Sequence, residues 1–158
     1  MRTLIAYRTR YGATAECART LAERIGGDTT VVDLAREPRV SAAGYDVVLV
    51  GGSVYAGRIQ RQVVSFCERN REALLAARAG VFLCCLFSGE QAEVQMQSSF
   101  PDWLLAHAFR RAFPGGRVTF SRLSLLDRLL VWNLPHPRGD ISLLRPEALE
   151  ELAAAARG

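Results

Sequence analysis

Apolar runs of strand length alternate along this chain with stretches of helical period. Thr3–Tyr7 is a short run suited to a buried strand. From Thr14 the set Ala18, Leu21, Ala22 and Ile25 falls at i, i+3, i+4 and i+7, which predicts an amphipathic helix stopped by Gly26-Gly27. Thr30–Leu34 reads as a second strand. After Asp46, the run to Gly52 (DVVLVGG) is continuously apolar until two glycines, the pattern of a central parallel strand buried on both faces. Gln60–Leu75 reads as helix, and Gly80–Phe87 (GVFLCCLF) as a fourth strand, again central. A helix is expected after Pro101, with Leu104, Leu105, Ala108, Phe109 and Ala112 on one side, and Val118–Leu123 as strand five. Pro146 at a first helical position opens a last helix, with Leu149, Leu152, Ala153 and Ala156 spaced as a core-facing stripe.

Five strands separated by helices imply an α/β, doubly wound parallel sheet with helices on both faces, because parallel neighbours need a crossover. Ligands of such sheets bind outside the carboxyl ends of the strands, where the winding direction reverses. Function is therefore sought just after strands one, three and four. The 158 residues are the size of one domain, 1–158, and no repeat or linker interrupts the pattern.

Composition narrows the chemistry. Hydrophobic residues make up 49% and charged residues 23%, so the chain can bury a core and is not disordered. All 20 basic residues are arginine, which excludes a lysine Schiff base and a P-loop. The net charge is +4, and residues 100–138 hold Arg110, Arg111, Arg117, Arg122, Arg128 and Arg138 against Asp102 and Asp127. Such a patch suits an anionic membrane surface, nucleic acid or an acidic small molecule, or is a solvated face. Cys17, Cys67, Cys84 and Cys85 form no C-x-x-C pair and have no histidine nearby, so a metal site is not expected. They read as small buried hydrophobes in a reducing compartment. No signal-peptide region opens the chain, and no apolar run approaches the roughly 20 residues of a spanning helix. The expected location is cytoplasmic, with peripheral membrane contact as an option.

The loops at the strand ends carry the candidate chemistry. After strand one come Thr9, Arg10, Tyr11, Gly12, Ala13 and Thr14, then the helix. There is no G-x-G-x-x-G. A hydroxyl-rich turn around one glycine, feeding a helix N-terminus, can hold a phosphate with backbone N–H groups and the Thr9 and Thr14 hydroxyls. Arg10 can add a charge-assisted bond, while the alternative is a helix merely capped by Thr14. After strand three come Gly51, Gly52, Ser53, Val54, Tyr55, Ala56, Gly57 and Arg58, with glycines that admit a planar ligand and an aromatic at the tip. After strand four come Phe87, Ser88 and Gly89. A phosphate cradle on the first loop, with glycine-bearing loops and aromatics on the others, fits flavin mononucleotide, FMN.

The sequences TRYGAT and GGSVYAGR, followed by an apolar fourth strand, resemble a flavodoxin-like domain, and most of all the flavodoxin-fold, menaquinone-dependent protoporphyrinogen oxidases. Their first loop reads T-R-x-G-x-T, matched by Thr9, Arg10, Gly12 and Thr14; their second carries a serine, a tyrosine two positions on and a glycine, matched by Ser53, Tyr55 and Gly57. Leu126-Asp127-Arg128-Leu129-Leu130 resembles an apolar D-R segment of their inserted helix. The resemblance implies strand order 2-1-3-4-5 with an insertion at 123–138, FMN as cofactor, and electron transfer from a reduced substrate such as a porphyrinogen through the flavin to a quinone. This chain is shorter than those enzymes, and its Tyr11 stands where they carry a small or acidic residue.

Leu123–Leu134 (LSLLDRLLVWNL) is apolar apart from Ser124, Asp127, Arg128 and Asn133. It is expected either to lie in a membrane interface with Trp132 at headgroup level, to cap the flavin, to form a homodimer contact, or to pack as core. On the first reading Arg58, Arg122, Arg128, Leu129 and Trp132 contact substrate or membrane. No catalytic acid or base is indicated and no nucleic-acid partner is expected. The alternative function is a flavodoxin-type FMN electron carrier without substrate chemistry of its own, although plain carriers are typically acidic.

Overall fold

A computed structural model of the protein describes residues 1–118 and 141–158. The expected insertion at 123–138, with Arg122, Arg128, Leu129 and Trp132, lies outside the described residues, as does most of the expected strand 118–123.

The elements follow in the order β1 (Arg2–Tyr7), α1 (Ala13–Ile25), β2 (Asp28–Asp33), β3 (Val47–Tyr55), β4 (Arg58–Ile59), α2 (Arg61–Arg69), α3 (Arg71–Ala76), β5 (Arg78–Cys84), α4 (Gly89–Ser99), α5 (Asp102–His107), β6 (Arg110–Ala112), β7 (Arg117–Val118), β8 (Ile141–Ser142) and α6 (Pro146–Arg157). The main sheet runs β2-β1-β3-β5-β6, and β4 folds back on β3. Its four pairings along that path are parallel, so counting only those five strands the order is the expected 2-1-3-4-5. In the register Ile5 lies beside Leu49, and Leu49 beside Gly80.

Alternation along the central strands divides the interior in two. Leu4, Ala6, Val48, Val50, Val81 and Leu83 point to one face, where Val63 and Phe66 of α2, Leu74 of α3, Met96 of α4 and Leu104 of α5 cover them. Ile5, Val47, Leu49, Phe82 and Cys84 point to the other, under Cys17, Ala18 and Leu21 of α1 and Leu152, Ala153 and Ala156 of α6. Each fully buried Phe or Leu contributes about 1.5–3 kcal/mol of transfer free energy, so the two-sided burial of β1, β3 and β5 holds their carboxyl ends rigid.

Four expectations are corrected. The fifth parallel strand is β6, not 118–123; Arg117–Val118 instead pairs antiparallel with Ile141–Ser142 in a separate ribbon. Two of the three β6 residues are exposed arginines, a charged edge that blocks further pairing but gives no apolar signal. The helix after Pro101 stops at His107, and Ala112 belongs to β6. The expected helix 60–75 is two helices parted at Asn70, whose buried amide accepts from Ala42 N (2.8 Å) and donates to the Phe66 carbonyl (3.0 Å). Finally, α4 occupies a stretch to which the pattern assigned no element; its buried residues are just Ala92, Met96 and Ser99, too sparse an apolar stripe to announce a helix. Among the described residues no helix is long and apolar enough to cross a membrane.

Candidate functional site

The loop from β1 into α1 is folded by its own side chains. Arg8 N donates to the Gly51 carbonyl (3.1 Å), tying the loop to β3. Thr9 Oγ1 then accepts from Gly12 N at 2.9 Å, which curls the chain back on itself. Gly12 completes the turn at φ 100°, a backbone state that costs a residue with a Cβ about 1–2 kcal/mol. Gly12, not Thr14, is therefore the N-cap of α1. Thr14 stands within the first turn, fully buried, and its hydroxyl has no hydrogen-bond partner. The first-turn N–H groups have no i−4 carbonyl to bond and carry the positive end of the helix dipole.

The second loop is a hairpin tip. Tyr55 pairs with Arg58 across Ala56 (φ 51°) and Gly57 (φ 72°), two successive residues at positive φ as a tight two-residue turn requires. Gln60 clamps its base, accepting from Ser53 N (3.1 Å) and donating to Ser53 Oγ (2.6 Å). The Tyr11 and Tyr55 rings meet edge to face with centroids 5.2 Å apart. Arg10 lays its guanidinium over both, 5.6 Å from the first centroid and 5.2 Å from the second.

Between these loops and the end of β5 lies a cleft of about 220 Å³. It brings together Thr9, Tyr11, Ala13, Thr14, Ser53, Val54, Tyr55, Ala56, Gly57 and Phe87 from three consecutive strand ends, as the sequence placed them. Gly12 shapes the loop without lining the cleft, and Ser88 and Gly89 begin α4 at the exposed rim. Arg10 and Arg58 are exposed and do not line it. Gly51 and Gly52 serve a different purpose from the expected close approach to a ligand. A Cβ on Gly51 would sit 2.0 Å from the Phe82 ring, and one on Gly52 2.6 Å from Ile59, so both make room for the protein's own core.

The cleft also contains residues that sequence reasoning did not single out: Cys84, Cys85, Leu86, Gln95, Gly116 and Arg117. The first three were absorbed into the apolar strand run. Gln95 depends on the unannounced α4, and its buried Oε1 has no partner. Gly116 packs on the Cys85 backbone, where a Cβ would lie 3.1 Å from the carbonyl, and Pro114-Gly115-Gly116 was a readable signal for that approach. Arg117 pairs with Glu16 of the first turn of α1. Burial pushes the Cys85 thiol up from its ordinary pKa. His107 bonds the Ala77 carbonyl (2.9 Å) and Trp103 packs against the core, so both serve the fold.

The donor set suits a phosphate ester carrying a flat ring. An unpartnered buried hydroxyl lies at a helix N-terminus, a second threonine lies beside it, and aromatic side chains with an apolar wall stand beyond. A family profile for the flavodoxin domain matches residues 4–142. No curated protein matches the chain. Among solved structures, the flavodoxin of Streptococcus pneumoniae TIGR4 is similar at 17% identity and TM-score 0.58, over 99% of this chain and 97% of its own. The flavodoxin WrbA-like protein of Agrobacterium tumefaciens is 17% identical with TM-score 0.53, over 80% and 87%. The rubredoxin oxygen:oxidoreductase of Desulfovibrio gigas is 17% identical with TM-score 0.53, over 99% of this chain, which spans only 35% of that one. These likenesses share the fold, and the profile match over most of the chain decides the family: this protein belongs to the flavodoxin domain family.

Proposed function

We propose that the chain is an FMN-carrying redox domain that takes up and passes on electrons as a flavodoxin-type carrier. The observation that carries this reading is the buried, unpartnered hydroxyl of Thr14, which lines the cleft from the first turn of α1. A buried hydroxyl without a partner costs about 1–3 kcal/mol, a cost that a bound phosphate oxygen relieves. In this reading Thr9, Ala13 and Thr14 hold the phosphate of FMN. Ser53–Gly57, Tyr11, Tyr55 and Phe87 flank its ring, and Gln95 offers an amide to a polar edge. FMN supplies the redox chemistry when bound; the protein binds, orients and shields it. Titrating purified chain with FMN tests this. Flavin fluorescence is expected to quench to an endpoint of one FMN per chain, and a titration without quenching overturns the reading.

A second reading is favoured by the +4 charge and by the arginine-flanked apolar sequence 123–138. It makes the protein a quinone-coupled oxidoreductase resembling protoporphyrinogen oxidase, in peripheral contact with a membrane, its arginines each worth about 1 kcal/mol near an anionic surface. Salt-sensitive binding to anionic vesicles, together with quinone-dependent oxidation of a porphyrinogen, supports this reading. FMN binding without either leaves the carrier.

A further inference from the structure

Cys17 lies on α1, one turn beyond Thr14, and Cys84 is the last residue of β5. Their sulfurs are 3.8 Å apart, the Cys84 thiol donating toward Cys17. Both side chains are buried, and Cys84 forms part of the cleft wall with Cys17 directly behind it. The other two thiols are placed differently. Cys67 sits on α2 in the opposite core cluster, and Cys85 turns its sulfur toward the Phe87 carbonyl at 3.6 Å.

We propose that Cys17 and Cys84 are a redox-active dithiol that closes to a disulfide when a hydroperoxide enters the cleft. A disulfide needs the sulfurs about 2.05 Å apart, so closure asks for a side-chain shift of under about 2 Å between two elements packed in the same core cluster.

The electrostatics of the pair favour loss of its first proton. The hydrogen bond from Cys84 draws the Cys17 thiol down from its ordinary pKa against the effect of burial. Donation to Cys17 and then burial push Cys84 up. An isolated buried thiol behaves differently: burial alone drives Cys67 up to about 12. The first proton therefore leaves this pair more readily than it leaves an isolated buried thiol, and the proton that remains can shift along the hydrogen bond, which gives thiolate character to Cys84 in the cleft wall.

The thiolate attacks the peroxide, breaking its O–O bond. For hydrogen peroxide this leaves a sulfenic acid and hydroxide, which takes up the proton the pair has released and becomes water. The second sulfur then attacks the sulfenic sulfur. The S–S bond forms as the S–O bond breaks, and the departing hydroxide leaves with the second thiol's proton as another water. Each sulfur gives up one electron and the peroxide gains two.

The test uses the whole chain as purified, reduced, freed of reductant and exposed to hydrogen peroxide at one equivalent. Alkylation after unfolding, intact mass and peptide mapping then follow. Expected are two alkylatable thiols in place of four, a linked Cys17–Cys84 peptide pair, and return to four thiols on adding dithiothreitol. Cys67→Ala should leave the linkage unchanged and Cys17→Ala should abolish it. Four free thiols after treatment, a Cys84–Cys85 linkage, or oxidation that stops at a sulfinic acid on Cys84 would overturn the proposal. The wild-type result decides the matter even if a variant fails to fold, and none of these readouts depends on FMN.

Discussion

Thr14→Val separates the folded scaffold from its cofactor function, because the two effects have opposite signs. The substitution keeps the shape and β-branching of the side chain and exchanges a hydroxyl for a methyl. In the cofactor-free protein that hydroxyl is fully buried and has no partner. An unsatisfied buried polar group costs about 1–3 kcal/mol, so its removal should raise cofactor-free stability by about 1 kcal/mol, roughly 3 °C in Tm for a chain of this length. A hydrogen bond to a charged partner is worth about 1.5–3 kcal/mol. Losing one to the FMN phosphate should therefore weaken binding by roughly 10- to 150-fold. Urea unfolding without cofactor gives the first number, and a flavin quenching titration gives the second. A variant less stable than the parent means the hydroxyl already has a partner in the fold. An unchanged FMN affinity places the phosphate elsewhere and removes the main support for the site.

Tyr55→Ala should weaken FMN binding or shift the flavin potential, read by quenching and by spectroelectrochemistry; no change in either excludes Tyr55 as a ring neighbour. Gly51→Ala sets a methyl 2.0 Å from the Phe82 ring and should cost at least about 2 kcal/mol of stability, with Phe82→Leu restoring part of it in the double variant. Cys67 has a folded pKa pushed up to about 12, whereas its unfolded thiol titrates near 8.5. Its contribution is thus intact below about pH 8.5 and is lost as pH rises toward 12, by an amount on the order of 4 kcal/mol. Denaturation curves across that range should fall more steeply for the parent than for Cys67→Ala, and parallel curves would refute the burial argument.

The strands that carry the site were legible because they are buried on both faces, and double burial writes a continuous apolar run. The position of the first loop was legible because the apolar run ends at Tyr7 and the helical period starts after Gly12. What failed to show was whatever the fold holds by polar means. The edge strand Arg110–Ala112 is fastened by backbone bonds to β5 and by Arg110–Glu151 (2.8 Å), neither of which leaves a hydrophobic period. Asn70 divides a helical pattern through hydrogen bonds to distant carbonyl and amide groups, partners that no local window contains. Gly51 and Gly52 looked like ligand-facing glycines because nothing in sequence order places Phe82 and Ile59 beside them.

The tyrosine pair shows why cofactor binding is more than the filling of a preformed slot. A flat ring held between two aromatic faces needs those faces about 7 Å apart, twice a contact distance of about 3.5 Å. Tyr11 and Tyr55 are closer than that, at 5.2 Å, and meet edge to face with their planes 63° apart. The cleft as built therefore offers a ring the outer face of one tyrosine, and a sandwich requires the pair to part. Parting gives up an aromatic contact of about 0.5–1.5 kcal/mol, together with the seat that Arg10 takes over both rings. That cost is small beside the burial of a tricyclic ring, so it tunes affinity without preventing binding. It also places the adjustable part of the site on the Tyr11 loop. Tyr55 sits on a hairpin closed by a two-residue turn and clamped at its base by Gln60, whereas Tyr11 sits in the turn that precedes α1.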